Sequence, residues 1–393
     1  SSRANCGYPL NNENGGITMY EIMTPGPTQV AENVRLARSE ACTNPDLDKE
    51  FYDFYRNTCK LFSKLVKTEN ETLILGGEGI LGLEAACASL TEAGDRVLVL
   101  DNGVFGKGFK DFVTMYGGTP VLYTTDYHLP IDVDALNQYL QKDSNFKYAT
   151  VVHCDTPSGM CNPIKEICNL LKSYGILTVV DSVSAMFGEE MDVDAFQIDI
   201  LLGGSQKVIS APPGLTLVTM SEDAKAAMKN RKTPIASFYA NLLTFENYYE
   251  NQWFPYTMPI SDIKGLAQAL KNIEQDTDIV ARHQNISKRV RYAVQKCGLE
   301  LYQKDGFCGT VTVIKVPGQV TASAILEKMR LEHQIMIAGS FDVMEGQVLR
   351  IGHMGENCRE DKVRCTLHAL QLVLTELGVT LSDDLETCFM EKQ

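Results

Sequence analysis

From residue 72 onward, short apolar runs alternate with longer stretches whose apolar residues recur every three or four positions. Apolar runs of about four to eight residues have the length of buried strands, and the periodic stretches have one apolar face, as amphipathic helices do. The alternation predicts strands over 72–75, 96–101, 120–123, 148–155 and 176–181, with helices over 79–90, 104–116, 133–141 and 164–174 between them. A further run, Ile200-Leu201-Leu202, and a return run over 215–220 complete the series. Strands that are apolar throughout and separated by helices imply an α/β fold, a mainly parallel sheet covered on both faces. Binding sites in such sheets gather beyond the carboxyl ends of the strands.

The flanks read differently. Residues 1 to about 20 are mostly polar, and Asn11 to Gly16 is turn material, so weak order is expected there. Met23-Thr24-Pro25-Gly26-Pro27 is a stiff turn. Pro45 after Asn44 predicts a helix start with Asn44 as cap, and Leu47, Phe51, Phe54, Phe62 and Leu65 follow at helical spacing. Residues 261–299 read as long linking helices. A smaller α+β unit follows, with strands over 310–316, 335–338 and 348–351 and helices over 322–333 and 360–377. The chain thus divides into an extension (1–22), a large domain (23–265), and linking helices with a small C-terminal domain (266–393).

Composition narrows the partners. A net charge of −14 over 393 residues argues against nucleic acid and acidic membrane surfaces. No run of eighteen apolar residues exists to span a bilayer. The 12 cysteines include no Cys-x-x-Cys pair, so no metal site is expected, and free thiols in a reducing, cytoplasmic setting follow by elimination. The triplets at Asn70 and Asn285 are read as chance matches to the glycosylation signal.

Several residues just past strand ends carry chemistry. Gly203-Gly204-Ser205-Gln206-Lys207 follows one apolar run. A lysine in a partly dry pocket loses preference for its charged form, and its neutral amine attacks carbonyls; a solvated loop lysine fits the same residues. Gly77-Glu78-Gly79-Ile80-Leu81-Gly82 opens a helix after a strand, and Asp101 ends the next strand. That is the dinucleotide fingerprint, although free N–H groups at a helix start favour any phosphate. Asp181 ends an apolar strand, where a carboxylate needs a cation or donors; a turn aspartate is the plainer account. Phe105 is placed to stack on a flat ring, Thr156 to reach a cofactor oxygen, and Arg350 to hold a carboxylate bidentately. Core packing, a Pro-Ser-Gly turn and a surface ion pair are the respective plain alternatives. His153, inside its strand, is assigned to the core.

A phosphate cradle, a ring stacker, a carboxylate and a lysine are together what pyridoxal phosphate needs. With Thr24-Pro25-Gly26-Pro27, Asn102-Gly103-Val104-Phe105-Gly106, Asp155-Thr156-Pro157-Ser158-Gly159, Asp181-Ser182-Val183, Ser205-Gln206-Lys207 and Arg350-Ile351-Gly352, the chain resembles the class V, fold-type I pyridoxal-phosphate aminotransferases over roughly residues 22–378. The similarity is to the alanine–glyoxylate, serine–pyruvate and pyridoxamine–pyruvate group. The resemblance implies Lys207 as Schiff-base lysine, Asp181 at the pyridine nitrogen, Phe105 on the ring and Thr156 near the ring hydroxyl. It places Gly79, Ile80 and Gln206 at the phosphate and counts Glu78, Val183 and Tyr256 among the cofactor contacts. It also implies a homodimer in which Thr257 reaches the other subunit's phosphate, with Arg350 clamping the substrate carboxylate.

Three positions depart from the family pattern. Phe254 stands where relatives often have tyrosine, with Tyr256 as stand-in. Glu78 replaces the usual serine, a feature of pyridoxamine–pyruvate enzymes. Phe341 occupies the place of those enzymes' second arginine. No cysteine lies in 339–347, against a desulfurase. The expected activity is transfer of an amino group from a small amino acid to glyoxylate or pyruvate. Pyridoxamine–pyruvate transamination, an NAD-dependent dehydrogenase and a non-enzymatic regulator are the alternatives.

Overall fold

The computed structural model describes residues 19–391; the weak order expected before residue 19 lies outside them. The central sheet has seven strands: β1 (Glu71–Gly76), β2 (Arg96–Asp101), β3 (Thr119–Thr124), β4 (Tyr148–Val152), β5 (Leu177–Asp181), β6 (Ile200–Gly204) and β7 (Leu215–Met220). Their spatial order is β1-β7-β6-β5-β4-β2-β3. Only β7 runs antiparallel to its neighbours. The carboxyl ends of the other six strands therefore share one edge. Strands β4, β6 and β7 are buried along their whole length, as a sheet covered on both faces requires.

The helix Gly79–Leu90 shows how closely the layers meet. Nine of its twelve residues are buried. A Cβ on Gly82 would lie 2.6 Å from the Thr216 methyl and 3.3 Å from Leu202. Glycine is needed there because the helix rests directly on β6 and β7.

The buried apolar residues form two principal clusters. One spans residues from Val34 to Ile273, with Met354. The other combines Met23 with residues from Ile286 to Phe389. The helix Ile260–Gln275 belongs to the first cluster and runs unbroken through residue 265.

Four expectations need correction. The N-terminal helix is Lys49–Leu65, capped by Asp48, whose carboxylate accepts from Glu50 N–H. Asn44 instead accepts from Asp46 N–H in a local turn, which competes with helix formation, and Leu47 is left exposed. The run over 148–155 breaks at His153, and Cys154–Asp155 turns out to pair with Met160–Cys161. Glu21–Ile22, assigned to the extension, pairs in parallel with Ile335–Met336. Cys365 is disulfide-bonded, whereas ten other cysteines are free thiols. A short helix, Glu32–Arg38, had no counterpart in the periodicity. Among the described residues no helix is long and apolar enough to cross a membrane.

Candidate active site

Lys207 sits in a closed loop just beyond β6. Ser205 Oγ donates to Pro212 O at 2.7 Å, and Ala211 N–H donates to Ser205 O, so the loop closes on itself. The turn at 23–28 lies over it: Thr28 N–H donates to Gln206 O at 3.1 Å, and Lys207 Nζ donates to Pro25 O at 2.6 Å. Gly26 has φ +96°, and a Cβ there would lie 2.3 Å from the lysine nitrogen. Burial and the nearby Arg350 guanidinium push the Lys207 amine down to about 8, against the opposing pull of Glu78 and Asp181. An amine at that level is about one-tenth neutral at pH 7, several hundred times more than a lysine at its ordinary value.

Asp181, at the end of β5, is buried and accepts from Val183 N–H at 3.0 Å. Burial pushes its carboxyl up to about 6, although Lys207 pulls it down. Asp155, which sequence reading passed over as a site residue, is fully buried nearby and is likewise raised to about 6 by burial. It accepts from Ser158 Oγ at 2.7 Å and weakly from Phe105 N–H at 3.4 Å. A carboxylate ending an apolar segment was the available signal. Phe105 meets Phe341 edge to face at 5.8 Å. Thr156 is buried. The Val183 methyls would lie 3.3 Å from a Cβ on Gly79, so Gly79 lets the helix start close onto β5.

At that helix start Glu78 occupies the cap. Its carboxylate accepts from Ile80 N–H at 3.0 Å and from the Gln206 amide at 2.5 Å. The free N–H groups that favour an anion are thus answered by the protein's own anion. Gln206 Oε1 is buried with no hydrogen-bond partner. Asp101 accepts from Thr124 Oγ1 at 2.9 Å and from the Tyr127 hydroxyl at 2.5 Å. It is therefore not free for a ribose, and the dinucleotide pattern at Gly77–Gly82 is without its acidic partner.

Arg350, in the strand Val348–Ile351, is 9% exposed. Its Nε donates to Gly339 O at 2.5 Å, and its guanidinium lies 5.7 Å from the Phe341 ring centre. No carboxylate among the described residues pairs with it; burial pushes it down to about 10, and Asp155 opposes this. Tyr256 stacks on Tyr239 at 4.4 Å. Its hydroxyl is buried without a partner, and burial raises it to about 12. Phe254 is core, stacked on Tyr52 at 4.5 Å. Thr257 stands apart, exposed and donating to Asp46 Oδ2 at 3.0 Å. The fold therefore gathers Lys207, Asp181, Glu78, Gly79, Ile80, Val183, Gln206 and Arg350 within one chain, and leaves Thr257 outside.

A cavity of about 710 Å³ opens elsewhere, beside Glu71 at the amino end of β1. Its lysines include Lys64, Lys225 and Lys229, each in an ion pair. The chemistry described above lies at the opposite edge of the sheet.

Residues 25–337 match the aminotransferase class-V family model. The chain is 33% identical over 366 residues to an uncharacterised aminotransferase of Methanocaldococcus jannaschii, covering 92% of this chain and 94% of that one. It is 33% identical over 346 residues to the pyridoxamine–pyruvate transaminase of Mesorhizobium japonicum, covering 86% and 87%. The crystal structure of the ureidoglycine–glyoxylate aminotransferase of Bacillus subtilis superposes with a TM-score of 0.91 at 26% identity, covering 95% of this chain and 98% of that one. This chain belongs to the class-V aminotransferases, with their fold-type I architecture, and is a transaminase.

Proposed function

We propose that this transaminase uses pyridoxal 5′-phosphate to move an amino group from a small amino acid to glyoxylate or pyruvate, as a homodimer sharing its active site. One observation carries this: Lys207, held to about 8, shares a buried site with Asp181 and Arg350.

The residues fit the cofactor's ring. A buried carboxyl raised to about 6 at Asp181 is the partner a pyridinium would satisfy. Phe105 offers a ring face, and Thr156 a hydroxyl. At the phosphate end, Ile80 N–H and the Gln206 amide are suitable donors once Glu78 releases them. When bound, the cofactor supplies an electron sink that makes the substrate's α-proton removable.

The chain's own residues do the rest. Lys207 holds the aldehyde end and carries the proton at Nζ, because its amine is poised near neutrality. Asp181 keeps the ring nitrogen charged. Arg350, desolvated and without a carboxylate partner among the described residues, binds the substrate carboxylate through two parallel N–H bonds. The Pro25–Gly26 turn keeps water from the lysine. Thr257, exposed, would serve a second subunit's phosphate on giving up its bond to Asp46. Ten free thiols support a cytoplasmic setting.

A second proposal has a specific observation behind it. Glu78 fills the anion position at the helix start, as a site for unphosphorylated pyridoxamine would require, with pyruvate as acceptor. The vitamin species bound to purified protein decides between them. Stoichiometric phosphorylated cofactor, fixed by borohydride to the Lys207 peptide, supports the first. Capture and turnover of pyridoxamine, with no phosphorylated species retained, supports the second. Reduction that labels no Lys207 peptide overturns both.

A further inference from the structure

We propose that Cys154, Cys161, Cys308 and Glu189 form a binding site for a divalent metal ion of the zinc type, separate from the transamination site. Three backbone segments build it. In the short hairpin Cys154 lies directly opposite Cys161, and opposed residues project from the same face. The segment at 306–308 runs alongside: Cys161 N–H donates to Gly306 O at 2.7 Å, Cys308 N–H donates to Gly159 O at 2.9 Å, and Met160 bridges Phe307. Glu189 reaches in from the loop after β5 and accepts from Gly309 N–H at 2.6 Å.

The Cys154 and Cys308 sulfurs and a Glu189 oxygen all lie within 4.8 Å of one another. The Cys161 thiol interacts with both Cys154 and Glu189. Zinc–sulfur bonds of about 2.3 Å in a tetrahedron place neighbouring sulfurs about 3.8 Å apart. The Cys154, Cys308 and Glu189 ligand atoms therefore need to close by about 1 Å, and the Cys161 sulfur, which lies outside that spacing, has to swing in from its position opposite Cys154. Three sulfurs and one carboxylate are a complete four-ligand set, and soft thiolates favour zinc over magnesium or calcium. Adjacent strand residues face opposite ways, so Cys154 points away from the face on which Asp155 meets Ser158 and Phe105.

Arg291 is the second, independent observation. Its Nη1 is buried with no hydrogen-bond partner among the described residues; its guanidinium lies 4.9 Å from the Phe307 ring centre and within electrostatic reach of Cys308 and Glu189. A dication with three thiolates and one carboxylate carries a net charge of −2, half of which the guanidinium offsets. On binding, each thiol loses its proton to solvent and forms a sulfur–metal bond, with no electron transferred, so uptake strengthens with rising pH. Sequence spacing hid the site, because its ligands come from three separated segments with no paired-cysteine motif. The metal would join the hairpin to the segment carrying Cys308, which makes its role structural rather than catalytic.

The test uses the full-length, cofactor-loaded protein, reduced, stripped with a chelator and then offered zinc or cobalt chloride. One bound equivalent is expected, with cobalt giving intense near-ultraviolet thiolate charge-transfer absorption. Cys308→Ser and Cys161→Ser each weaken zinc binding at least about tenfold, whereas Cys42→Ser, at an exposed cysteine, leaves it unchanged. If the cysteine variants fold poorly, the cobalt spectrum of the unaltered chain still decides. Absence of uptake by that chain, cobalt bound without thiolate absorption, or full zinc affinity in both variants each overturns the site. So does a Cys154–Cys161 disulfide in protein that, once reduced, takes up no metal.

Discussion

Gln206 donates its side-chain amide to Glu78 at 2.5 Å, joining the lysine loop to a helix start 128 residues away in sequence. The pair sets a competition between the protein's own carboxylate and an incoming phosphate. Glu78→Ser keeps a helix cap while removing the charge. Like charges a few ångströms apart at a surface repel by a few kcal/mol, about 4 kcal/mol at an effective dielectric near 20. The variant is therefore expected to bind pyridoxal 5′-phosphate roughly ten- to a hundredfold more tightly, measured by titration of apoprotein. Unchanged phosphate-cofactor affinity, with lost affinity for pyridoxamine, would favour the second proposal above.

Lys207→Ala is expected to abolish turnover and the visible absorbance of bound cofactor. A subtler test is Gly26→Ala. That backbone has φ +96°, and the new methyl collides with the lysine side chain. Activity is expected to fall at least about tenfold while the circular dichroism spectrum stays native. Full activity would show that the turn does not position the lysine.

Cofactor capture needs a neutral amine. Lys207 is pulled down to about 8, so the capture rate in apoprotein is expected to rise with pH through about 8 and level off above it. Asp181 and Asp155, raised to about 6, are already ionised in that window. A rate that is flat from pH 6.5 to 9 contradicts the lowered amine.

Asp181 trades stability for function. A folded-state carboxyl raised above its unfolded value binds its proton more tightly when folded. Its favourable contribution is present below about pH 4 and is lost as pH rises through about 6. At pH 7.5 the ionised, desolvated carboxylate of the apoprotein is a liability. Asp181→Asn is expected to stabilise apoprotein by about 1–3 kcal/mol, read as a raised melting temperature, and to cut turnover on the order of a hundredfold or more. A lowered melting temperature at pH 7.5 would sink this.

Among the described residues Arg350 has no carboxylate partner, and its one side-chain hydrogen bond runs to Gly339 O. Arg350→Gln is expected to raise the KM for the 2-oxo acid by roughly thirty- to a thousandfold, about 2–4 kcal/mol. Arg350→Lys should recover little, since a point charge does not reproduce a fork. A KM unchanged in both variants removes the clamp.

The sheet was legible because its strands are apolar on both faces, and the strands at 96–101 and 215–220 emerged with the expected bounds. Lys207 and Asp181 were legible because they follow such strands. Other features were not, for physical reasons. Asn44 and Asp48 are both good caps, and only the Asx turn at Asp46 decides between them. The break at His153 depends on pairing with Met160–Cys161, a tertiary contact that periodicity does not register. The glycine pattern at 77–82 marked a helix start with donors to spare, but that Glu78 caps it while holding Gln206 depends on a residue far off in sequence. Asp101 matched the dinucleotide spacing and was claimed by Thr124 and Tyr127. The four proposed metal ligands meet only after the hairpin folds.

The reversed strand β7 has a consequence for biosynthesis. It is wedged between β1 and β6, so the glycine-rich helix start and the lysine loop become neighbours only when residues 215–220 are in place. A nascent chain that has left the ribosome only as far as Lys207 holds both the helix start and the lysine without the strand that brings them together. If the proposed cofactor binds, its yellow colour would appear during synthesis only after that one strand is inserted.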